Sequence, residues 1–179
     1  MTVEAPSTDE AHRPGASESP IEGAPERLAG FIYGTLVALA MIVAGVKVYP
    51  GSPGRIAVFV VLTSFVLWLA HVYAHTVGLS VSHRSRLELA ELRHIARREG
   101  SIVEAALPPI VPLLLGAVGL LSTDTAVWTA IGIGLVVLAL EGAAFARIQR
   151  LGPLRTVVAV AANVGVGLLL VAAKLVLSH

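Results

Sequence analysis

Two histidines stand one helical turn apart inside an apolar stretch of the chain. His71 and His75 lie in "WLAHVYAHTVG", within a segment, Ile56 to His83, that contains no Asp, Glu, Lys or Arg. Because residues i and i+4 share a helix face, the two imidazoles can bind a metal ion together with a carboxylate. They can also relay protons, since imidazole titrates near neutral pH. A third interpretation is structural, with neutral rings hydrogen-bonded across helices.

Polar residues in other apolar segments are candidate partners for this pair. They are Glu104, Glu141 and Asn163. An acid near the centre of a membrane helix costs about 2.5–3.5 kcal/mol, so Glu141 is expected to face the protein interior with a partner. We therefore predict one ion or proton site, in which Glu141 lies within side-chain reach of His71 or His75 or is joined to them through one intervening polar residue. If a metal binds, the histidine pair supplies its ligands, and no cofactor is expected.

Several enzyme classes are excluded by what the sequence lacks. The chain contains no cysteine, which excludes disulfides, thiolate metal sites and thiol nucleophiles. "HVYAH" has Val72 where the H-E-x-x-H motif of zinc proteases has its glutamate base. No P-loop and no nucleophile elbow occurs either, so we predict that the protein is not an enzyme.

The elements that position these residues are membrane-spanning helices. Of 179 residues, 55% are hydrophobic and 14% charged, against about 25% charged in an average soluble domain. The apolar residues come in blocks near the ~20 residues that cross a bilayer, and only helices satisfy the backbone across such blocks. We predict an all-α integral membrane bundle of five transmembrane helices, with spans at about 28–49, 56–79, 105–121, 126–146 and 154–177.

The distribution of Lys and Arg predicts the orientation. Ten lie on the side of the N-terminus, in the tail and in the linkers after the second and fourth spans, whereas the other side has Lys47, Arg55 and Lys174. The positive-inside rule puts the N-terminus in the cytoplasm and the C-terminus outside, as expected for a multi-pass protein of a bacterial cell membrane. The histidine pair, Glu104 and Glu141 then share the cytoplasmic half of the membrane.

Two segments outside the spans have distinct compositions. Residues 1–27 are acidic and rich in proline, which predicts a disordered cytoplasmic tail. The linker 84–100 places Leu89, Leu92 and Ala96 on one helical face. Its other face carries Arg86, Arg93 and Arg97. Such a pattern is typical of an interfacial helix, so these arginines are predicted to contact anionic lipid headgroups.

Three resemblances bear on the protein. "FVLWLAHVYAHTVG" resembles uncharacterised small multispan bacterial proteins with a W-L-A-H-x-Y-A segment, a likeness that covers most of residues 30–177 and implies no activity. The charged linker and "ARIQRLGPLRTVVAV" are similar to the vacuolar iron transporter family, which holds metal with an Asp and a Glu in its first two spans. Neither span has an acid here. "RLAGFIYG" is similar to the R-x-x-x-F-S-D-G opening of the lysosomal potassium channel family, with Ile32 and Tyr33 replacing Ser-Asp.

Two functional hypotheses follow. In one, the protein binds or moves an ion, proton or small solute through a cytoplasm-facing cavity lined by the predicted site residues. The apolar outer half of the spans argues against an open channel. In the other, it is a non-catalytic scaffold or regulatory subunit, with an exposed small-residue or aromatic face for another membrane protein or a second copy. Separately, Ala161 and Gly165 have the small-xxx-small spacing that permits close helix approach, which we interpret as structural and to which we assign no function. The bilayer is the expected partner in both, and nucleic acid in neither.

Overall fold

The computed structural model describes residues 24–83 and 89–176, and every regular element in these two ranges is a helix. The helices are α1 (Ala24–Val48), α2 (Pro53–His83), α3 (Leu89–Glu99), α4 (Ser101–Glu104), α5 (Leu107–Ala117), α6 (Thr123–Ile148) and α7 (Pro153–Val176). The all-α prediction is confirmed. Most of the predicted disordered tail lies outside the described residues, but its last four residues already belong to α1.

Four helices are long and apolar enough to cross a membrane: α1, α2, α6 and α7. In α1, Arg27 and Lys47 are 20 residues apart, which is about 30 Å at 1.5 Å per residue and equals the hydrocarbon thickness of a bilayer. Arg55 and His75 have the same separation in α2. Large apolar side chains such as Leu62 are exposed along these helices. The molecule is therefore a membrane protein with its polar groups at the two ends of the bundle.

The third predicted span is a bent pair of helices rather than one helix over 105–121. The segment Leu92–Glu104 meets α5 at an angle of 51°. Pro108 and Pro109, in the first turn of α5, have no N–H to donate to the carbonyls of the preceding turn, so the helix cannot continue through them. At its other end α5 stops at Ala117, since Gly119 adopts a left-handed conformation with φ of 81°. Helix α5 is therefore shorter at both ends than the predicted span 105–121.

Contacts at its two ends show that this bent segment still crosses the bundle. At one end, a Cβ added to Gly34 would lie 2.6 Å from the carbonyl oxygen of Ile102, so α1 and α4 touch through their backbones. At the other end, a Cβ on Gly116 would lie 2.7 Å from the Cβ of Ala126, near the start of α6. The described chain therefore has four long passages and, if the bent pair counts as one, a fifth that is short and broken.

An apolar core fills the middle of the bundle between the two polar ends. It is built from α1, α2, α5, α6 and α7, and Leu39, Val60, Leu113 and Leu138 within it are fully buried. Close contacts between α6 and α7 depend on Gly142 and Gly167, whereas Gly132 and Gly165 have open space where a Cβ would point. The close helix approach predicted at Gly165 is therefore absent from the described chain.

Candidate functional site

His71 is held in one orientation by its own helix. Its Nδ1 lies 2.9 Å from the carbonyl oxygen of Leu67, four residues earlier. Because a carbonyl only accepts hydrogen bonds, Nδ1 carries the hydrogen, and Nε2 carries the lone pair when the ring is neutral. The ring also faces Tyr33 of α1, with 5.3 Å between the ring centroids. Nε2 is the atom of His71 that remains available to a ligand.

His75 pairs with a carboxylate that the sequence analysis did not single out. Its Nδ1 lies 3.4 Å from Glu99 Oε1, and the His75 and Glu99 side chains are 51% and 14% exposed. Glu99 ends α3, and it reaches α2 because α3 packs along that helix. Trp68 of α2 donates from Nε1 to the Ala96 carbonyl, 3.0 Å away. This carbonyl lies in the last turn of α3, where no backbone N–H of the same helix follows to donate to it, so Trp68 caps the helix.

The two histidines open onto one cleft of about 350 Å³ between α1, α2, α3 and α4. We call it the histidine cleft. Its lining residues are Ala29, Gly30, Tyr33, His71, His75, Arg98, Glu99 and Ile102. Trp68, His71 and His75 of α2 therefore contact neighbouring helices, as polar residues of a lipid-embedded helix should.

Glu141 does not belong to the histidine cleft. It is 6% exposed, and its Oε1 accepts a hydrogen bond of 2.9 Å from the Thr35 hydroxyl of α1. Its Oε2 is buried with no partner among the described residues. The prediction that Glu141 pairs with His71 or His75 is wrong, because α1 packs between α2 and α6 and supplies a different partner on each face.

The other two predicted site residues also lie apart from the histidines. Glu104 forms an ion pair with Arg27, with 3.3 Å between Oε2 and a guanidinium nitrogen, and both side chains are about half exposed. Such a pair contributes little to stability, about 0–1 kcal/mol. Asn163 of α7 donates from Nδ2 to the Leu138 carbonyl at 3.5 Å, the outer limit of a hydrogen bond. Neither residue lines the histidine cleft.

The linker helix packs on α2 by its C-terminal half. α3 spans Leu89–Glu99, and it meets α2 through Glu99 and the Ala96 carbonyl. Leu89 is 85% exposed, and the contact of its face with a bilayer stays a prediction. Arg93 and Arg97 are exposed. Their contact with lipid headgroups remains a prediction, and Arg86 lies outside the described residues.

Metal binding by the histidine pair lacks a third ligand in the described part of the chain. No group of three or more His, Asp or Glu residues there could hold a metal ion. Glu99 contacts His75, and both Glu104 and Glu141 have partners elsewhere. What the cleft offers is a set of polar side chains from α1, α2 and α3.

Glu99 and Arg98 were not predicted from the sequence as residues of the cleft, and neither were the contacts of Tyr33 with His71 and of Thr35 with Glu141. One signal for Glu99 was present: it follows Ile95 by four residues, so an apolar and an acidic side chain share one face of the linker helix. No signal in the sequence indicated which face of α1 meets α2 and which meets α6.

Comparisons of the chain with protein-family models, with curated proteins and with solved structures found no match.

Proposed function

We propose that this membrane protein binds a small anionic solute, such as an oxyanion or a carboxylate, in the histidine cleft at the cytoplasmic end of the bundle. The observation that supports this most is the convergence of His71, His75 and Arg98 from two separate helices on one cleft. Helical spacing alone explains the histidine pair on α2. Only the folding of α3 against α2 brings the arginine beside it.

The balance of donors and acceptors in the cleft favours an anion. Arg98 already has an interaction within the protein, but its guanidinium is always charged and has five N–H donors in a fork that fits carboxylate and phosphate oxygens. The Tyr33 hydroxyl and the protonated histidines are further donors. The principal side-chain acceptor is Glu99, and one of its oxygens is already close to His75. Each histidine that gains a proton adds positive charge, so anion binding and proton uptake support each other.

The proposed orientation places the cleft in the cytoplasm. Ten of the thirteen Lys and Arg residues lie on the side of the N-terminus when the chain crosses five times, and that end of α1 carries Arg27, close to the cleft. The apolar core beyond the cleft separates it from the opposite end. The account therefore favours binding or alternating-access transport over an open channel.

Equilibrium binding to the purified protein tests the proposal. The probes are orthophosphate, sulfate and acetate, with sodium and potassium chloride as ionic-strength controls, and binding is followed by calorimetry. We expect at least one oxyanion to bind saturably and Arg98→Ala to weaken it about tenfold or more, as loss of a charged hydrogen bond does. Arg97→Ala is the matched control, since Arg97 is exposed and does not line the cleft. Binding of no probe, or equal loss in both variants, would contradict the proposal.

A scaffold or regulatory subunit is the second candidate, supported by the exposed face of α7. Ala161 and Gly165 are both exposed there, and nothing lies within 4 Å of the position of a Gly165 Cβ. Small residues on a lipid-facing helix permit close approach of another membrane helix. This function predicts that His71→Leu is tolerated, whereas anion binding predicts a loss of affinity with the same change.

A further inference from the structure

A second cavity lies at the opposite end of the bundle from the histidine cleft. Its volume is about 290 Å³, and we call it the apolar pocket. Its lining residues are Val43, Val46, Lys47, Pro50, Gly51, Ile56, Thr123, Asp124, Val127, Trp128 and Ile131. They come from the end of α1, the turn after it, the start of α2 and the start of α6. None of them contributes to the proposed anion site.

The floor and the rim of the apolar pocket have different chemistry. Val43, Ile56, Val127 and Ile131 form a floor of buried hydrocarbon. The rim consists of exposed side chains, among them Lys47, Asp124 and Trp128. Its ligand therefore has an apolar portion that enters the pocket and a polar portion that stays at the rim.

The rim presents both charge signs at the level of the lipid headgroups. Lys47 lies in the last turn of α1 and Asp124 in the first turn of α6, which is where the helix dipoles favour a cation and an anion. Trp128 is 63% exposed, and tryptophan at the end of a membrane helix is typical of the interface, where its ring sits at headgroup depth. An anionic headgroup would meet Lys47 favourably but would be repelled by Asp124. A headgroup with a phosphate and an ammonium group complements both.

We propose that the apolar pocket binds a zwitterionic phospholipid, with an acyl chain against the valine and isoleucine floor, the phosphate at Lys47 and the headgroup amine at Asp124. The site is a lipid site in the leaflet opposite the histidine cleft. It is independent of the proposed anion binding, because no residue is shared between the two cavities.

Fluorescence of Trp128 tests this directly. The chain has two tryptophans, so Trp68→Phe leaves Trp128 as the one reporter. The variant is reconstituted in bilayers that mix phosphoethanolamine and phosphoglycerol lipids, with brominated acyl chains on one lipid or on the other. Bromine quenches tryptophan on contact. We expect brominated phosphoethanolamine lipid to quench Trp128 more strongly at equal mole fraction, with a preference of about two- to fivefold, the range that exposed ion pairs give.

Charge variants supply the controls. Asp124→Asn should reduce the preference toward one, because only the phosphoethanolamine lipid has an amine for Asp124. Lys47→Gln should leave a preference for the phosphoethanolamine lipid, because both lipids lose the same phosphate contact and Asp124 remains. Arg55→Gln should leave it unchanged, because Arg55 lies at the same end of the bundle but does not line the apolar pocket. Native mass spectrometry of the unmodified protein tests lipid binding without the Trp68→Phe change, so a folding defect of that variant would not affect it. The unmodified protein should retain a phosphoethanolamine lipid.

Three results would overturn the lipid site. Equal quenching by both brominated lipids would mean that Trp128 meets bulk lipid only. A preference for phosphoglycerol lipid would mean that the rim of the apolar pocket selects an anionic headgroup. Shielding of Trp128 from both lipids would mean that protein, such as a second copy of the chain, covers the pocket.

Discussion

Tyr33 and Thr35, two residues apart on α1, contact different polar groups on opposite faces of the helix. At 3.6 residues per turn their side chains point about 200° apart. The Tyr33 ring lies 5.3 Å from that of His71, and the Thr35 hydroxyl lies 2.9 Å from Glu141 Oε1. Helix α1 thus divides the polar residues at this end of the bundle into an accessible cleft and a buried hydrogen bond.

The hydrogen bond between Thr35 and Glu141 is expected to stabilise the packing of α1 on α6. Thr35→Val leaves the buried carboxyl of Glu141 without a partner, which should lower the free energy of unfolding by about 1–3 kcal/mol. Glu141→Gln keeps an acceptor oxygen for the Thr35 hydroxyl and should cost less. Equilibrium denaturation in detergent measures both. Thr63→Val is the control, since Thr63 bonds only within its own helix, to the Phe59 carbonyl. Equal losses at Thr35 and Thr63 would contradict a stabilising role for the bond.

The contact of α1 with α4 should tolerate no side chain larger than hydrogen at Gly34. A Cβ there would meet the carbonyl oxygen of Ile102 at 2.6 Å, and backbone has little freedom to move aside. Gly34→Ala is expected to lower the thermal unfolding temperature, with a loss of about 1–3 kcal/mol typical of overpacking. Gly165→Ala faces open space and should be neutral or slightly stabilising, since alanine favours helix. If Gly34→Ala left the thermal unfolding temperature unchanged, α1 and α4 would have to lie further apart than this contact indicates.

Single cysteines test the proposed orientation, because the chain has none of its own. Ser52→Cys and Leu120→Cys lie in turns at one end of the bundle, and Gln149→Cys lies at the other. A membrane-impermeant thiol reagent should label the first two on intact cells and Gln149→Cys only after permeabilisation. Labelling of Gln149→Cys alone would reverse the orientation. Labelling of Ser52→Cys and Gln149→Cys, but not of Leu120→Cys, would mean that the third segment returns to the side from which it entered.

The helical class followed from sequence because apolar blocks near 20 residues have one solution in a bilayer. The locations of His71 and Glu141 near one end of the bundle also followed, since depth along a helix is proportional to residue number. The residues that His71 and Glu141 contact could not be predicted from the sequence. Whether α6 meets α1 or α2 depends on packing between segments far apart in the chain, and Thr35 and Glu141, 106 positions apart in the sequence, give no local signal for the bond. The bend before α5 was missed although its cause, Pro108 and Pro109, was visible.

The ion pair between His75 and Glu99 should couple α3 to α2. We expect a double-mutant cycle of His75→Gln and Glu99→Gln to give a coupling of about 0.2–1 kcal/mol, the range for exposed pairs, because His75 is half exposed. His94→Gln is the control, since His94 is exposed on α3 and does not line the cleft. Zero coupling would mean that other contacts hold α3 in place.

Histidine resonances give the most direct test of anion binding in the histidine cleft. The protein, with its six histidines labelled with ¹⁵N in the rings, is titrated with the oxyanion that binds best in calorimetry, in detergent and at constant ionic strength. The account predicts saturable shifts of the ring signals of His71 and His75, with an unchanged signal from His94 on the exposed side of α3. Shifts of the same size at all three rings, or none at His71 and His75, would contradict it.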